Sequence, residues 1–168
     1  MKIDKQSEEM KNNAPSPLQK IMEIEDEYDL LCELSMYIGE KCDYGYNLAA
    51  LSEEERIFYI TQKLEMEVNN GGFWQYIYNA EEDVYVGTVD AFSAIGARAT
   101  AALCQNAFCA FGTELPKDRE GRIQFVTELG MEKCYKILSE YDDAFYAYEE
   151  DLTALNIAYV RKNIAAFS

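Results

Sequence analysis

The sequence predicts an all-α protein, an irregular multi-helix bundle that forms a single domain. Apolar residues recur at the three- and four-residue spacing of amphipathic helices, whereas no segment alternates in the manner of a strand and no repeat is visible. The 168 residues are 49% hydrophobic and 13% aromatic, which is sufficient for one hydrophobic core. We expect a flexible N-terminal arm over residues 1–17 and one all-helical domain over residues 18–168.

The arm is predicted from the polar composition of residues 1–17, which end in Pro15-Ser16-Pro17 and cannot bury enough apolar surface to become ordered. Apolar residues then recur at helical spacing between Leu18 and Cys42, and acidic residues occupy the opposite side. This pattern predicts one amphipathic helix with an anionic outer face.

A second helix is predicted from a capping box, in which Ser52 stands three residues before Glu55 and apolar residues follow. The helix is expected to end at residues 69–72, Asn-Asn-Gly-Gly, because glycine readily adopts the left-handed C-terminal turn. The aromatic segment 73–78 follows this stop directly and is predicted to form a short helix that packs into the core.

The remaining segments also favour helices. The acidic residues 81–83 are expected to form a loop or the first turn of the next element, because carboxylates favour a helix N-terminus. Residues 88–111 are rich in alanine and are predicted to form a long central helix that is ended by Gly112 and Pro116. Three further helices are expected over residues 118–129, 131–147 and 151–166.

The chain is strongly acidic. It contains 15 Lys and Arg residues against 31 Asp and Glu residues, a formal net charge of −16 at pH 7. This exceeds the magnitude of roughly 2–8 that keeps a small domain soluble, and like charges within a Debye length of about 8 Å repel one another. The excess favours a basic partner protein over direct binding to DNA or to an anionic membrane, which require clustered Lys and Arg. The alternative is that the acidic residues only form a solvated surface.

The composition also disfavours several classes of active site. Histidine, the commonest general base and metal ligand, is absent. The five cysteines contain no C-x-x-C pair, so we expect reduced, mostly buried thiols without disulfides or a zinc site. Neither Glu65-x-Glu67 nor Asp142-Asp143 has the spacing of a calcium loop, and nothing positions these carboxylates for catalysis. We therefore predict no catalytic residues, no metal and no cofactor.

Targeting and membrane segments are not visible in the sequence. The N-terminal residues contain no apolar segment that resembles a signal peptide, and no run approaches the roughly 20 apolar residues of a membrane span. The expected location is the cytoplasm.

Acidic residues are concentrated in three stretches without lysine or arginine, at residues 23–40, 65–90 and 140–151. Carboxylates at i, i+3 and i+4 of a helix stand about 5–6 Å apart, comparable in scale to the spacing of phosphates along a DNA strand. Such an array can occupy the DNA-binding surface of a protein. The predicted partner-binding carboxylates are those of Glu23, Glu25, Asp26, Glu27, Asp29, Glu33, Glu40, Glu81, Glu82, Asp83, Asp142, Asp143, Glu149, Glu150 and Asp151.

Residues 67–79 carry a long motif, E-x-N-N-G-G-F-x-Q-Y-x-x-N. The motif resembles the signature of a bacterial family of helical domains that includes an acidic DNA-mimic protein. The signature residues, which resemble the joint between two helices and are interpreted as structural, are Glu67, Asn69, Asn70, Gly71, Gly72, Phe73, Gln75, Tyr76 and Asn79. The resemblance implies an all-α fold and, for the characterised branch, a protein without enzymatic activity that imitates duplex DNA.

The leading hypothesis is a DNA mimic that binds and inhibits a basic DNA-binding protein, a transcription factor or nucleoid protein, and is itself a monomer or homodimer. The alternative is an immunity protein that neutralises a basic toxin such as a nuclease and has one tight partner encoded nearby. A third possibility is a small enzyme or ligand-binding protein with a polar pocket near Gln75, Tyr76 and Asn79. An apolar, filled site at that position would exclude the third possibility.

Overall fold

The chain folds into eight α-helices without a strand over residues 15–168, the part that the computed structural model describes. The all-α prediction is therefore confirmed. Residues 1–14 of the predicted N-terminal arm lie outside the described residues. The helices are α1 (Pro17–Met22), α2 (Glu27–Lys41), α3 (Glu53–Asn79), α4 (Glu82–Ala94), α5 (Arg98–Cys109), α6 (Arg119–Leu129), α7 (Met131–Tyr146) and α8 (Leu152–Lys162), with 3₁₀ turns at Asp43–Gly45, Leu48–Ala50 and Ile164–Ala166.

Helix α3 lies at the centre of the bundle. It begins with the predicted capping box at Ser52 and packs against α2, α4, α6, α7 and α8. Its fully buried apolar side chains are Phe58, Leu64, Val68, Phe73, Tyr76 and Ile77. Burial of apolar surface contributes roughly 25 cal/mol per Å², so this helix supplies a large part of the stabilisation. The aromatic segment 73–78 is helical and packed into the core, as predicted.

The helix predicted between residues 18 and 42 is divided into α1 and α2. The cause is Asp26, whose side chain accepts hydrogen bonds of 3.0 Å from the backbone N–H groups of Tyr28 and Asp29 and so begins a new helix. The anionic outer face persists on α2, but the prediction of one continuous helix is wrong.

The long central helix predicted over residues 88–111 is also divided, into α4 and α5. Gly96 lies between the two helices with a φ of +90°, in the left-handed region that interrupts a right-handed helix. The prediction of a single central helix is wrong here, and α3 holds that position. Glu82 and Asp83 form the first turn of α4, which confirms the second of the two possibilities for this acidic segment.

Arg122 is a fully buried side chain of α6 that joins this helix to the end of α3. Its guanidinium group donates hydrogen bonds to four backbone carbonyls, those of Ile77, Ala80, Pro116 and Lys117. Burial lowers the pKa of Arg122, but these carbonyls replace the hydration of the guanidinium. Two of them, those of Ile77 and Ala80, lie at the C-terminal end of α3, where backbone carbonyls lack a partner within the helix.

All five cysteines are free thiols, and the majority, Cys42, Cys104 and Cys134, are buried, in agreement with the prediction. None of the helices within residues 15–168 is both long enough and apolar enough to cross a membrane.

Candidate functional site

The signature residues surround an interruption within α3. Helical geometry is lost at Gly71 and Gly72, and Gly72 has a φ of +77° and a ψ of 178°, a combination that is restricted to glycine. A Cβ atom on Gly72 would lie 2.6 Å from Oδ2 of Asp142, and a Cβ atom on Gly71 would overlap the side chain of Gln75. Glycine is therefore required at the interruption for both backbone conformation and space.

Helix α7 supplies hydrogen-bond partners to the interruption. The backbone N–H of Phe73, at the start of the second half of α3, donates to Oδ1 of Asp142 at 2.7 Å. On the other side, the hydroxyl of Tyr146 donates to the carbonyl of Val68 at 2.8 Å. Burial raises the pKa of Asp142, and the hydrogen bond from Phe73 opposes that shift. Asp142 and Tyr146 thus satisfy backbone groups that an interrupted helix leaves without partners.

Glu67 connects the two halves of α3. Its Oε2 atom accepts hydrogen bonds from the amides of Gln75 at 2.8 Å and Asn79 at 2.9 Å, and its Oε1 atom lies 2.7 Å from Nζ of Lys63. Burial by itself would raise the pKa of Glu67, but the hydrogen bonds from Lys63, Asn79 and Gln75 outweigh it and the net pKa is lowered. The carboxylate consequently stays ionised with its acceptor positions occupied.

The other polar signature residues differ in their contacts. The hydroxyl of Tyr76, which is fully buried, lies 2.6 Å from Oγ1 of Thr88. The amide of Asn69 donates to the hydroxyl of Tyr148 at 2.6 Å, whereas Asn70 is exposed. Most of the signature is thus engaged with other parts of the chain.

The predicted partner-binding carboxylates lie at the surface. All of them are exposed except Glu81, Asp142 and Glu150, which are half-buried. Asp26 and Asp151 are exposed but accept hydrogen bonds at the N-termini of α2 and α8. Exposure alone therefore does not make all of these side chains available to a partner.

Ten of the carboxylates make neither an ion pair nor a side-chain hydrogen bond within the described residues. They are Glu23, Glu25, Glu27, Asp29, Glu33, Glu40, Glu82, Asp83, Asp143 and Glu149. The ion pairs in residues 15–168 are Lys41–Glu55, Lys63–Glu67 and Arg119–Glu81. We call these ten residues the free carboxylates.

Glu150 has a structural function in the folded chain. Its carboxylate accepts hydrogen bonds from the backbone N–H groups of Ala99 and Thr100 at 3.1 and 2.9 Å, at the start of α5. Burial would raise the pKa of Glu150, but the bonds from Thr100 and Ala99 outweigh it and the pKa is lowered. Because the folded pKa is below the unfolded one, this stabilisation is present above pH 4.5, the ordinary value, and is lost as pH falls through the folded pKa.

We expect Glu150→Gln to lower the free energy of unfolding by about 1 kcal/mol at neutral pH, the usual contribution of a helix cap. Urea unfolding at neutral pH and at successively lower pH would measure the effect, which should shrink as the pH falls through the folded pKa, because the wild-type carboxyl then becomes protonated. Glu149→Gln is the matched control and should have no effect, since Glu149 is a free carboxylate. An equal loss in both variants would contradict the capping function.

The three acidic stretches are placed differently. Glu65 of α3, the first acidic residue of the second stretch, lies between the other two stretches. Tyr148 of the third stretch donates a hydrogen bond to Glu65 at 2.9 Å. Helix α2, which carries most of the first stretch, runs antiparallel to α3, with Lys41 paired with Glu55 and Ser35 bonded to Gln62, so Tyr28, two turns before Ser35, lies towards Glu65 and Asn69. The later part of the second stretch lies beside basic residues: Glu81 is paired with Arg119, and Asp83 lines a cleft with Arg56. The structure thus brings the first and third stretches together at Glu65, whereas the later part of the second stretch has cations as neighbours.

The surroundings of the signature include one polar cleft. Asn79 and Glu67 line it together with Tyr46, Lys63 and Arg119, and its volume is ≈ 270 Å³. Gln75 does not line this cleft, and Tyr76 is packed in the core. Within residues 15–168, no three His, Cys, Asp or Glu side chains are grouped in a way that could hold a metal ion.

Comparison with known protein families gives one match. A family model described as DMP19-like protein matches residues 49–163, which is more than half of the chain. The matched segment contains α3 to α8 and the whole signature, whereas α1 and α2 with the first acidic stretch precede it. Comparisons with curated proteins and with solved structures give no match.

Proposed function

Because the chain belongs to the DMP19-like protein family, we propose that it is an acidic DNA mimic that binds and inhibits a DNA-binding protein through a carboxylate-covered surface. The partner is a basic protein, either a transcription factor or a nucleoid protein. The activity is binding and involves no catalysis. The observation that carries this proposal is the set of ten free carboxylates on the surface of a chain with a net charge of −16.

The signature supports the fold of the mimic more than its binding surface. Glu67, Gly72 and Gln75 hold the interruption of α3 together, and their contacts are within the chain. The free carboxylates lie outside the signature. We therefore assign the signature to architecture and the free carboxylates to recognition.

The outer face of α2 offers the most regular array of free carboxylates. Asp29, Glu33 and Glu40 are exposed and follow one another at four- and seven-residue spacing, so they lie along one side of the helix. The corresponding separations are about 6 Å and about 10 Å along the axis. Lysine and arginine side chains that contact successive phosphates of DNA can reach carboxylates at such distances.

Binding by this surface should depend steeply on salt, because exposed charges are screened within a Debye length of about 8 Å at physiological ionic strength. We expect affinity for the partner to fall by at least about tenfold between 50 and 200 mM salt. Proteins retained from a native lysate by the purified, immobilised chain, washed at both salt concentrations and identified by mass spectrometry, would test this expectation.

A matched pair of variants removes the same charge from two surfaces. The test variant carries Asp29→Asn, Glu33→Gln and Glu40→Gln, and it should lose most of the retained DNA-binding proteins. The control variant carries Glu114→Gln, Glu120→Gln and Glu132→Gln, three exposed acids outside the proposed surface, and it should retain them.

The outcomes separate the hypotheses. Retention of DNA-binding proteins at low salt, with loss in the test variant alone, supports the mimic. A single toxin-like protein, such as a nuclease, would instead identify an immunity protein. Equal retention by both variants, or no charge-dependent retention, would mean that these carboxylates only solvate the surface.

A further inference from the structure

The meeting point of the first and third acidic stretches combines aromatic and acidic side chains. Gln62, Glu65, Met66 and Asn69 share one face of α3, since they stand at i, i+3, i+4 and i+7. Gln62 accepts a hydrogen bond from Ser35 of α2 at 3.3 Å. This face therefore adjoins α2.

The same face is held to the segment between α7 and α8. Tyr148 adopts a φ of +44° in this segment, an uncommon conformation for a tyrosine. Its hydroxyl donates to Glu65 at 2.9 Å and accepts from Asn69 at 2.6 Å. These two bonds fix the ring at the surface beside α3. We call the set Tyr28, Glu65, Met66 and Tyr148 the Glu65 junction.

The apolar members of the Glu65 junction are exposed. Tyr28 is 71% exposed, Met66 51% and Tyr148 42%. Large apolar side chains that are grouped at a surface and rimmed by polar residues are typical of protein-binding sites.

The charges around the junction are negative. The pKa of Glu65 is raised by burial and further by the neighbouring charge of Asp151. The neighbouring Cys32 raises the pKa of Tyr28 most, and Asp29 and Glu65 contribute in the same direction. A cationic side chain that entered the junction would therefore be attracted from both sides.

We propose that the Glu65 junction binds an arginine side chain of the basic partner, with the guanidinium stacked on the exposed tyrosine ring of Tyr28 and hydrogen bonded to the carboxylate of Glu65. This inference rests on the proposed function, since it names the partner residue that the acidic surface receives. The planar guanidinium matches a carboxylate and an aromatic face together, whereas the compact, strongly hydrated ammonium of lysine matches them less well.

A second copy of the chain is the less suitable occupant of the junction. The net charge of −16 makes two copies repel each other, and the acidic rim would face another acidic surface. A basic partner would be attracted to the acidic rim, so charge complementarity favours a basic protein as the occupant of the junction. Tyr28 also lies outside the matched family segment, residues 49–163, so the junction is not a property of that segment alone.

The test uses two synthetic probes of equal charge, an eight-residue arginine peptide and an eight-residue lysine peptide, titrated into the full-length protein by calorimetry. The wild-type protein should bind the arginine peptide about three- to tenfold more tightly than the lysine peptide. The variant Tyr28→Ala, Met66→Ala should bind both peptides with equal affinity. Both substituted side chains are more than half exposed, so the fold should be retained, as circular dichroism would verify.

Tyr46→Ala is the matched control, because Tyr46 is 74% exposed and follows the other end of α2, about 20 Å along the helix from Tyr28. It should keep the preference for arginine. Equal affinities in the wild-type protein, or a preference that survives in the Tyr28, Met66 variant, would overturn the inference while leaving the salt-dependent capture of DNA-binding proteins as a separate test of the mimic. A wild-type dimer that this variant converts to a monomer would also overturn it, since a second copy would then cover the junction.

Discussion

Replacement of Gly72 by alanine is expected to lower the free energy of unfolding by about 3 kcal/mol or more. Two effects add at this position. The φ of +77° with a ψ of 178° is a conformation that alanine does not tolerate, and the new Cβ would lie 2.6 Å from Oδ2 of Asp142. If Asp142 moves away, the buried N–H of Phe73 loses its partner.

Urea unfolding, followed by the fluorescence of Trp74, the single tryptophan, would measure this loss. Gly112→Ala is the matched control, because Gly112 has a φ of +71° and a Cβ added there would have no neighbouring atom within 4 Å. Backbone strain alone should make its loss about 1 kcal/mol. A double variant of Gly72→Ala with Asp142→Ala should lose less than the sum of the single variants. Equal losses at Gly72 and Gly112 would show that Asp142 does not crowd the interruption.

Arg122→Met is the second change with a large expected effect, a loss of about 3–5 kcal/mol in the free energy of unfolding. Methionine fills a similar length but donates no hydrogen bonds. The carbonyls of Ile77, Ala80, Pro116 and Lys117 would lose their donor. The gain from no longer burying a charge offsets only part of this loss, because the buried acceptors cannot return to water.

The neighbouring Arg119 provides the control for Arg122. Its side chain is 37% exposed and lies 3.8 Å from Glu81, so Arg119→Met should change the free energy of unfolding by less than about 1 kcal/mol. The loss in the free energy of unfolding caused by Arg122→Lys should lie between those of the two methionine variants, because lysine keeps the charge but lacks the planar fork of donors. Equivalent losses for Arg119→Met and Arg122→Met in the same urea experiment would contradict the role assigned to the buried guanidinium.

The local parts of the fold could be predicted from the sequence. The capping box at Ser52 and the three- and four-residue spacing of apolar residues reflect interactions between residues close in sequence. The helices after residue 118 accordingly lie close to their expected bounds. The two predictions of a continuous helix failed where a single residue decides: the side chain of Asp26 begins α2, and the backbone conformation of Gly96 separates α4 from α5. Periodicity averages over a window and does not detect such single-residue caps.

The contacts that hold the candidate site are of a different kind. Asp142 and Phe73 are 69 residues apart in the sequence, and Tyr148 and Glu65 are 83 apart. No local pattern indicates such pairs, and neither a buried arginine without a carboxylate partner nor an exposed loop tyrosine has a periodic signal. Charge distribution identified the acidic stretches, but only the structure separates the free carboxylates from those, such as Glu150, that accept backbone hydrogen bonds.

The molecule comprises a scaffold and a proposed recognition surface. The scaffold is the interrupted central helix, which is fixed by Glu67, Gly72 and Asp142. Substitutions of these residues should mainly change the free energy of unfolding. The proposed recognition surface comprises the free carboxylates and the Glu65 junction. Substitutions there should mainly change the affinity for the partner. Variants of the two classes can therefore be distinguished by measuring unfolding and affinity on the same preparations.

Competition with duplex DNA tests the proposed mimicry most directly. A DNA-binding protein captured by the chain would be purified and bound to a fluorescent duplex, and the chain would then be added while anisotropy is followed. We expect full release of the duplex by the wild-type protein, and release only at much higher concentrations by the variant with Asp29→Asn, Glu33→Gln and Glu40→Gln. A stable ternary complex, in which the partner holds the duplex and the chain together, would contradict the proposal that the carboxylate surface takes the place of DNA.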